Sequence, residues 1–355
     1  MKGFTREELL EMAWEKPILA QIGITSLCNR HCPFCYAWHR AAETKPDLPL
    51  LEWQGMILKL RRLGVQRLDF TGRESLLYDE ATALFAWCKE QGFENRLNTN
   101  GTVDVTAALP YIDEIVYSVH GLGDIHDQIM GSPGDFYRVK ENMERTAKAG
   151  VKISVNMSLL KSNYHQLNLV FDYFDSQYGL YKFAPFLPVP SLYGKDFSGT
   201  GLEINRESLS DYLDCLRRIP VEKLTLKHGF HSIFIAERKH YRDNGLLLPN
   251  CAAGKYKLIV ENDGRVFPCN FFRSQEFYCG NLLTDDETTI WRSGAGFKHF
   301  RDLVLGEKIP AECSQCLKKP RCYSGCRAWS LTYQKGGFEN VKDKRCDPGS
   351  AFIGS

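Results

Sequence analysis

From residue 18 to about 190 the chain alternates between short apolar runs of strand character and longer stretches of helical periodicity. Strands are expected at Leu19–Thr25, Arg67–Thr71, Arg96–Asn100, Glu114–Val119, Lys152–Leu159 and Tyr181–Phe186. Helices are expected between them at Trp53–Leu63, Tyr78–Gln91, Asp135–Ala149 and Gln166–Tyr178. Repeated βα alternation demands a parallel sheet with helical crossovers, an α/β fold. The rhythm alone suits a barrel-like arrangement or a doubly wound sheet. In both, ligands gather at the C-terminal ends of the strands.

The rhythm stops at Leu187–Gly201, a stretch rich in Pro, Gly and Ser that reads as a linker or a substrate-facing loop. A helical bridge is expected at Ser208–Ile219. The 355 residues allow about two domains. The expected division is 1–195 for the βα region, 196–245 for the bridge and 246–355 for a cysteine-rich domain. A net charge of +2 without a polybasic run gives no reason to expect nucleic acid. No apolar stretch reaches membrane-spanning length, and Met1-Lys2-Gly3-Phe4-Thr5-Arg6-Glu7-Glu8 does not read as a signal peptide. A cytoplasmic location is expected.

Three cysteines crowd the loop after the first strand: Cys28-Asn29-Arg30-His31-Cys32-Pro33-Phe34-Cys35-Tyr36, spaced C-x3-C-x2-C. The chain holds 13 cysteines. An odd number clustered in short motifs points to metal or cluster ligands rather than a disulfide framework. Three thiolates on one loop can hold three irons of a cubane and leave the fourth open, whereas a four-cysteine site saturates its cluster. For the loop taken alone, a zinc or structural cluster completed by His31 or His39 is the alternative. The motif resembles that of the radical S-adenosylmethionine (SAM) enzymes, and the resemblance extends along almost the whole chain. It implies a partial (β/α)6 barrel and a [4Fe–4S] cluster on Cys28, Cys32 and Cys35. It further implies that the open iron chelates SAM, which is cleaved reductively to a 5′-deoxyadenosyl radical.

The same resemblance assigns a SAM site. Phe34 takes the aromatic position that lies against adenine. Phe70-Thr71-Gly72-Arg73-Glu74-Ser75 resembles the family's Gly-Gly-Glu-Pro motif, which contacts the SAM amino group, with Arg73 and Ser75 as departures. Gly72 and Glu74 remain. Arg73 is either drift or a cation placed near the substrate or the SAM carboxylate. Leu97-Asn98-Thr99-Asn100-Gly101-Thr102 also matches a common family run. Ser118 sits where the family often uses Ser for SAM, Arg138 where Arg meets the SAM carboxylate, and Asn156 where a ribose hydroxyl is held. An Arg fork suits a carboxylate geometrically; each of these residues also reads as an ordinary strand-end polar residue.

The C-terminal pattern is Cys251-x12-Gly264-x4-Cys269, Cys313-x2-Cys316-x5-Cys322-x3-Cys326, then Cys346. It resembles the SPASM domain, whose seven cysteines carry two auxiliary [4Fe–4S] clusters, giving three clusters in all. The family arrangement puts Cys313, Cys316, Cys322 and Cys346 on the outer cluster and Cys251, Cys269 and Cys326 on the inner one. The inner cluster's fourth ligand is either Cys279 or absent, leaving an open iron. A zinc ribbon on Cys313, Cys316, Cys322 and Cys326 fits the spacing but leaves the other three unexplained. Glu261-Asn262-Asp263-Gly264 between Leu258-Ile259-Val260 and Arg265-Val266-Phe267 reads as a hairpin turn with glycine at positive φ. Cys88 reads as a core thiol. Cys215, on the bridging helix, is a buried structural cysteine or a hydrogen-atom donor to a substrate radical.

Auxiliary clusters imply an oxidative outcome, with an oxidoreductase that passes a substrate electron to them. The first reading is modification of a ribosomally made peptide by cross-linking or a related change. With 27 residues before Cys28, peptide recognition would fall to a separate protein or to the barrel face. The second is natural-product biosynthesis: a small-molecule dehydrogenase or epimerase acting on a sugar or aminocyclitol alcohol carbon. The third is a non-catalytic iron–sulfur electron carrier. Presence of all three N-terminal cysteines weighs against the third. Sulfatase-type oxidation is disfavoured because Asn270 follows Cys269 where those relatives have an acidic base, and an amide cannot take the proton. An electron donor such as flavodoxin or ferredoxin is expected.

Overall fold

The computed structural model describes residues 15–35, 37, 46–188, 206–225, 252–305, 310–315, 326 and 328. Six parallel strands form one sheet in sequential order: β1 (Leu19–Ile22), β2 (Arg67–Phe70), β3 (Glu94–Thr99), β4 (Glu114–Ser118), β5 (Lys152–Ser158) and β6 (Lys182–Phe186). A doubly wound sheet reverses its strand order at a switch point. Here the order runs β1 to β6 without reversal, which is that of a barrel segment. With right-handed crossovers, sequential order puts every connecting helix on the same face.

Those helices are α1 (Leu50–Leu63), α2 (Ala81–Glu90), α3 (Asp124–Met130), α4 (Asp135–Lys148) and α5 (Leu167–Tyr178). All but the short α3 bury an apolar stripe at helical spacing. In α1 the stripe is Trp53, Met56, Ile57 and Leu60, and the helix stops at Gly64, whose φ of 102° suits glycine. In α5 it is Leu167, Val170, Phe171 and Phe174. These side chains meet Ile22, Leu68, Phe70, Leu97, Ile115 and Val155 from the strands in a continuous core. Fully burying a side chain of this kind is worth roughly 1.5–3 kcal/mol.

The strands alternate, and their other face is polar. On β5, Ile153, Val155 and Met157 alternate with Ser154, Asn156 and Ser158, all six buried. Strand register aligns Gln21, Asp69, Arg96 and Glu114 in one row across β1–β4. Arg96 pairs with Asp69 at 3.4 Å and with Glu114 at 3.2 Å, and Ser154 donates to Glu114 at 2.6 Å. This paired charge forms a floor beneath the strand ends.

The chain then returns to the sheet. After α6 (Arg206–Arg217), strand β7 (Lys257–Val260) pairs parallel to β1, followed by antiparallel β8 (Arg265–Phe267) and β9 (Gly280–Asn281). The hairpin at Gly264 forms as expected, with φ 81°. Helices α7 (Glu287–Ser293) and α8 (Ala295–Leu305) close this end around Trp291, Phe297, Phe272, Phe277 and Phe300. Among the described residues no helix is long and apolar enough to cross a membrane.

Candidate active site

The cysteine loop leaves β1 under tight local control. Thr25 Oγ1 donates to Asp47 at 2.6 Å, and the Ser26 and Leu27 amides donate to Asp47 and to Thr25 Oγ1. Between the first two cysteines, Asn29 and Arg30 lash the loop down. Asn29 exchanges hydrogen bonds with Asn100 (2.8 Å) and Thr102 (3.0 Å), beyond the end of β3. Arg30 makes a two-pronged bond to Asp135 in the first turn of α4, at 2.5 and 2.6 Å. The Asp135 side chain has no exposed surface. Burial alone would raise its pKa, yet Arg30 and Arg138 hold it below the ordinary carboxylate value.

Cys28, Cys32 and Cys35 are half-buried free thiols. Burial pushes the Cys32 thiol up to about 12, and the neighbouring Cys35 and Cys28 push it the same way. Cys28 is raised by burial too, with Arg73 opposing. Among the described residues no three His, Cys, Asp or Glu side chains are already arranged to hold a metal ion. Three soft sulfur donors on one loop fit a cationic iron–sulfur centre, which would favour their thiolate form. His31 lies exposed on the same loop, and His39 lies outside the described residues.

Glu74 sits at the base of the site, 1% exposed. Its amide donates to Leu27 O, and its carboxylate accepts from Thr99 Oγ1 (3.0 Å) and the Asn100 amide (2.9 Å). Burial pushes it up to about 7 against those hydrogen bonds. Gly72 before it has φ 105°, which a side chain would strain. Phe34 stands edge-on to His120, ring centroids 4.8 Å apart. Burial keeps His120 neutral, its pKa far below the ordinary value, and its Nδ1 accepts from the Ser158 amide at 3.2 Å. Ser118 and Asn156 lie opposite each other on β4 and β5. Arg138 is placed differently from the other SAM candidates: it is half-exposed, with Nη1 on Asp135 at 2.7 Å. Sequence reading missed Arg30, Asp135 and His120. Asp135 at a helix start was visible, but a partner 105 residues away was not.

Beside the residues that lead into the loop, a solvent-open cleft lies at the C-terminal ends of β1, β2 and β7. Gln21, Thr25, Ser26, Arg73, Glu261 and Asn270 are among its walls. The Asn270 amide donates to Gln21 Oε1 at 2.7 Å and accepts from Arg273 at 2.8 Å, so both of its ends are used. Cys279 is buried, its thiol raised by burial and donating to Phe277 O at 3.4 Å. Cys269, Cys313 and Cys326 are half-buried. Cys251, Cys316, Cys322 and Cys346 lie outside the described residues. Cys88 is a core thiol. Cys215 lies on α6, which packs on α5, and does not line the cleft.

Residues 22–173 match the radical SAM superfamily, and residues 251–317 match the SPASM iron–sulfur cluster-binding domain. The chain belongs to the SPASM-bearing radical SAM enzymes. Fe–S clusters and SAM are the cofactors this membership implies. An AdoMet-dependent heme synthase of Methanosarcina barkeri is 24% identical over 89% of this chain and 90% of its own length. An Fe-coproporphyrin III synthase of the same organism is 22% identical over 87% and 82%. In three dimensions the chain resembles Streptococcus suis SuiB bound to precursor peptide SuiA, with TM-score 0.70, 18% identity and coverage of 96% and 78%. It also resembles anSMEcpe with bound AdoMet and Cp18Cys peptide, with TM-score 0.71, 17% identity and coverage of 92% and 93%. These likenesses establish the partial barrel with its SPASM extension.

Proposed function

We propose that this radical SAM enzyme is an oxidoreductase that modifies a ribosomally made peptide, by cross-linking or a related oxidative change. The observation that supports the reading is the cleft, whose walls join Thr25, Ser26 and Ala37, which flank the cysteine loop, to Glu261, Arg265 and Asn270 on and beyond the hairpin. Three [4Fe–4S] clusters and SAM would supply a 5′-deoxyadenosyl radical for hydrogen abstraction and an acceptor for the electron the substrate then gives up.

The chain's residues have distinct tasks in this reading. Cys28, Cys32 and Cys35 hold the first cluster, on a loop that Asn29 and Arg30 keep in place. Gly72 and Glu74 receive the amino end of SAM, Ser118 and Asn156 its polar middle, and Phe34, braced by His120, its adenine. Cys251, Cys269 and Cys326 hold an inner cluster with or without Cys279. Cys313, Cys316, Cys322 and Cys346 hold an outer one. A flavodoxin or ferredoxin would deliver the electron, and a separate protein or the barrel face would recognise the peptide. The peptides named in the complexes of SuiB and anSMEcpe support this choice of substrate.

A second, small-molecule reading draws support from the sequence relatives named for heme and Fe-coproporphyrin III synthesis. The sugar or aminocyclitol alcohols considered from the sequence belong to the same class.

The test is anaerobic reconstitution followed by reduction with SAM. About twelve iron and twelve sulfide per chain are expected, three cubanes of four. 5′-Deoxyadenosine release should be stimulated by peptide substrate; stimulation by Fe-coproporphyrin III and never by peptide would replace the first reading with the second.

A further inference from the structure

The cleft walls carry three guanidiniums, Arg73, Arg265 and Arg273, against one carboxylate, Glu261. Two of the three are already engaged. Arg265 Nε donates to Asp263 at 2.7 Å. Arg273 pairs with Glu261 and donates to Asn270 O at 2.9 Å and Asn270 Oδ1 at 2.8 Å. Arg73 differs from both. Half-buried on the wall, it makes no hydrogen bond or ion pair with any of the described residues.

The nearest acid in sequence does not serve it. Glu74 turns inward and takes its hydrogen bonds from Thr99 and Asn100, with Arg30 as the cation that bears on it. A guanidinium partly withdrawn from water without an anion gives up hydration and receives nothing in exchange. Its planar fork matches a carboxylate through two parallel charge-assisted bonds. Arg73 also lies within electrostatic reach of Cys28 on the cysteine loop.

We infer that Arg73 binds a carboxylate of the substrate and so selects acidic substrates for this cleft. The carrier is an Asp or Glu side chain, and that part alone rests on the peptide reading above. The departure from the family's second glycine is then a specificity device. A carboxylate held there anchors its neighbouring carbons between the cysteine loop and the hairpin. Arg265 and Arg273 shape the wall, their charges being already matched.

The probes are glutamate blocked as its N-acetyl, N′-methylamide derivative, the glutamine analogue, and glutarate, each titrated by saturation-transfer NMR into reconstituted, SAM-loaded enzyme. The glutamate probe should bind about tenfold or more tightly than the glutamine probe, as charge-assisted bonds require. Arg73→Gln should erase that preference without weakening the glutamine probe, and Arg73→Lys should retain part of it. Equal binding of the two probes to the wild type, or a preference that survives Arg73→Gln, would overturn the inference. So would a tenfold loss of SAM affinity in Arg73→Gln with the probe preference intact, since Arg73 would then serve the SAM carboxylate. Tighter binding of the blocked glutamate than of glutarate supports a peptide carrier, and the reverse order overturns it. 5′-Deoxyadenosine is measured on the same samples. Its absence alongside a normal probe preference would remove the reaction assignment and leave the carboxylate site standing.

Discussion

The barrel side and the hairpin side of the cleft share one apolar core but present their cysteines by different means. On the barrel side a continuous apolar core fixes six strands, and hydrogen bonds among neighbours such as Glu74, Thr99 and Asn100 fix their ends. Its three cluster cysteines fall within eight residues, on a loop tied down by Asn29, Arg30 and Asp47. On the hairpin side, ion pairs shape the wall, and the cysteines from Cys251 to Cys346 are spread over 96 residues. The first region presents ligands on a scaffold that stands without metal. In the second, much of the binding free energy of the clusters should also be folding free energy.

Replacing Cys28, Cys32 and Cys35 together with Ala should therefore have the largest chemical effect and a small structural one. SAM cleavage should vanish, iron should fall by about four per chain, and the thermal transition should stay within a few degrees of wild type. Loss of all iron would break the contrast by showing that the two regions load as one. Persistent 5′-deoxyadenosine formation would remove the site assignment altogether.

The next effect is a pH dependence centred on Glu74. Its carboxyl is raised from 4.5 to about 7 by burial in the folded chain. Folding is then favoured below the unfolded value, and that contribution is lost as pH rises from about 4.5 through 7. A shift of this size corresponds to on the order of 3 kcal/mol. Denaturation of anaerobic holoenzyme at pH 5 and pH 8 should show the wild type losing stability relative to Glu74→Gln. Parallel pH curves would mean that Thr99 and Asn100 keep the carboxylate ionised throughout.

What the sequence made legible follows the same division. All six barrel strands lie within the expected segments or begin at most two residues earlier, because short segments with alternating faces between helical stretches leave few alternatives. The hairpin turn was visible in Asp263-Gly264, since its geometry needs positive φ. The parallel pairing of β7 with β1 was not visible; four residues carry no mark of a partner more than 230 positions away. The two-residue β9 has no periodicity to read. In the site, motif positions are what single out Gly72, Glu74 and the cysteines as candidates, while Arg30 on Asp135 and Phe34 on His120 are contacts between distant segments. Arg73 was legible as a departure from a pattern, but that it has no partner among the described residues depends on how distant segments pack.

The smallest effects separate the two arginines that share Asp135. Arg30 is mostly buried and grips both carboxylate oxygens, whereas Arg138 is half-exposed and uses one nitrogen. Asp135→Asn leaves the Arg30 fork without its anion and should cost about 2 kcal/mol, with weaker SAM binding as the cysteine loop loosens. Arg138→Gln removes a half-exposed cation from a buried carboxylate that Arg30 already neutralises, and should cost under about 1 kcal/mol. Its SAM affinity is expected to stay within about threefold of wild type, because Arg30 alone holds Asp135 in place. A tenfold loss of SAM affinity in Arg138→Gln at unchanged stability would break that expectation. The free part of the Arg138 guanidinium would then reach the SAM carboxylate, with Asp135 aiming one arginine at the cofactor while the other holds the loop.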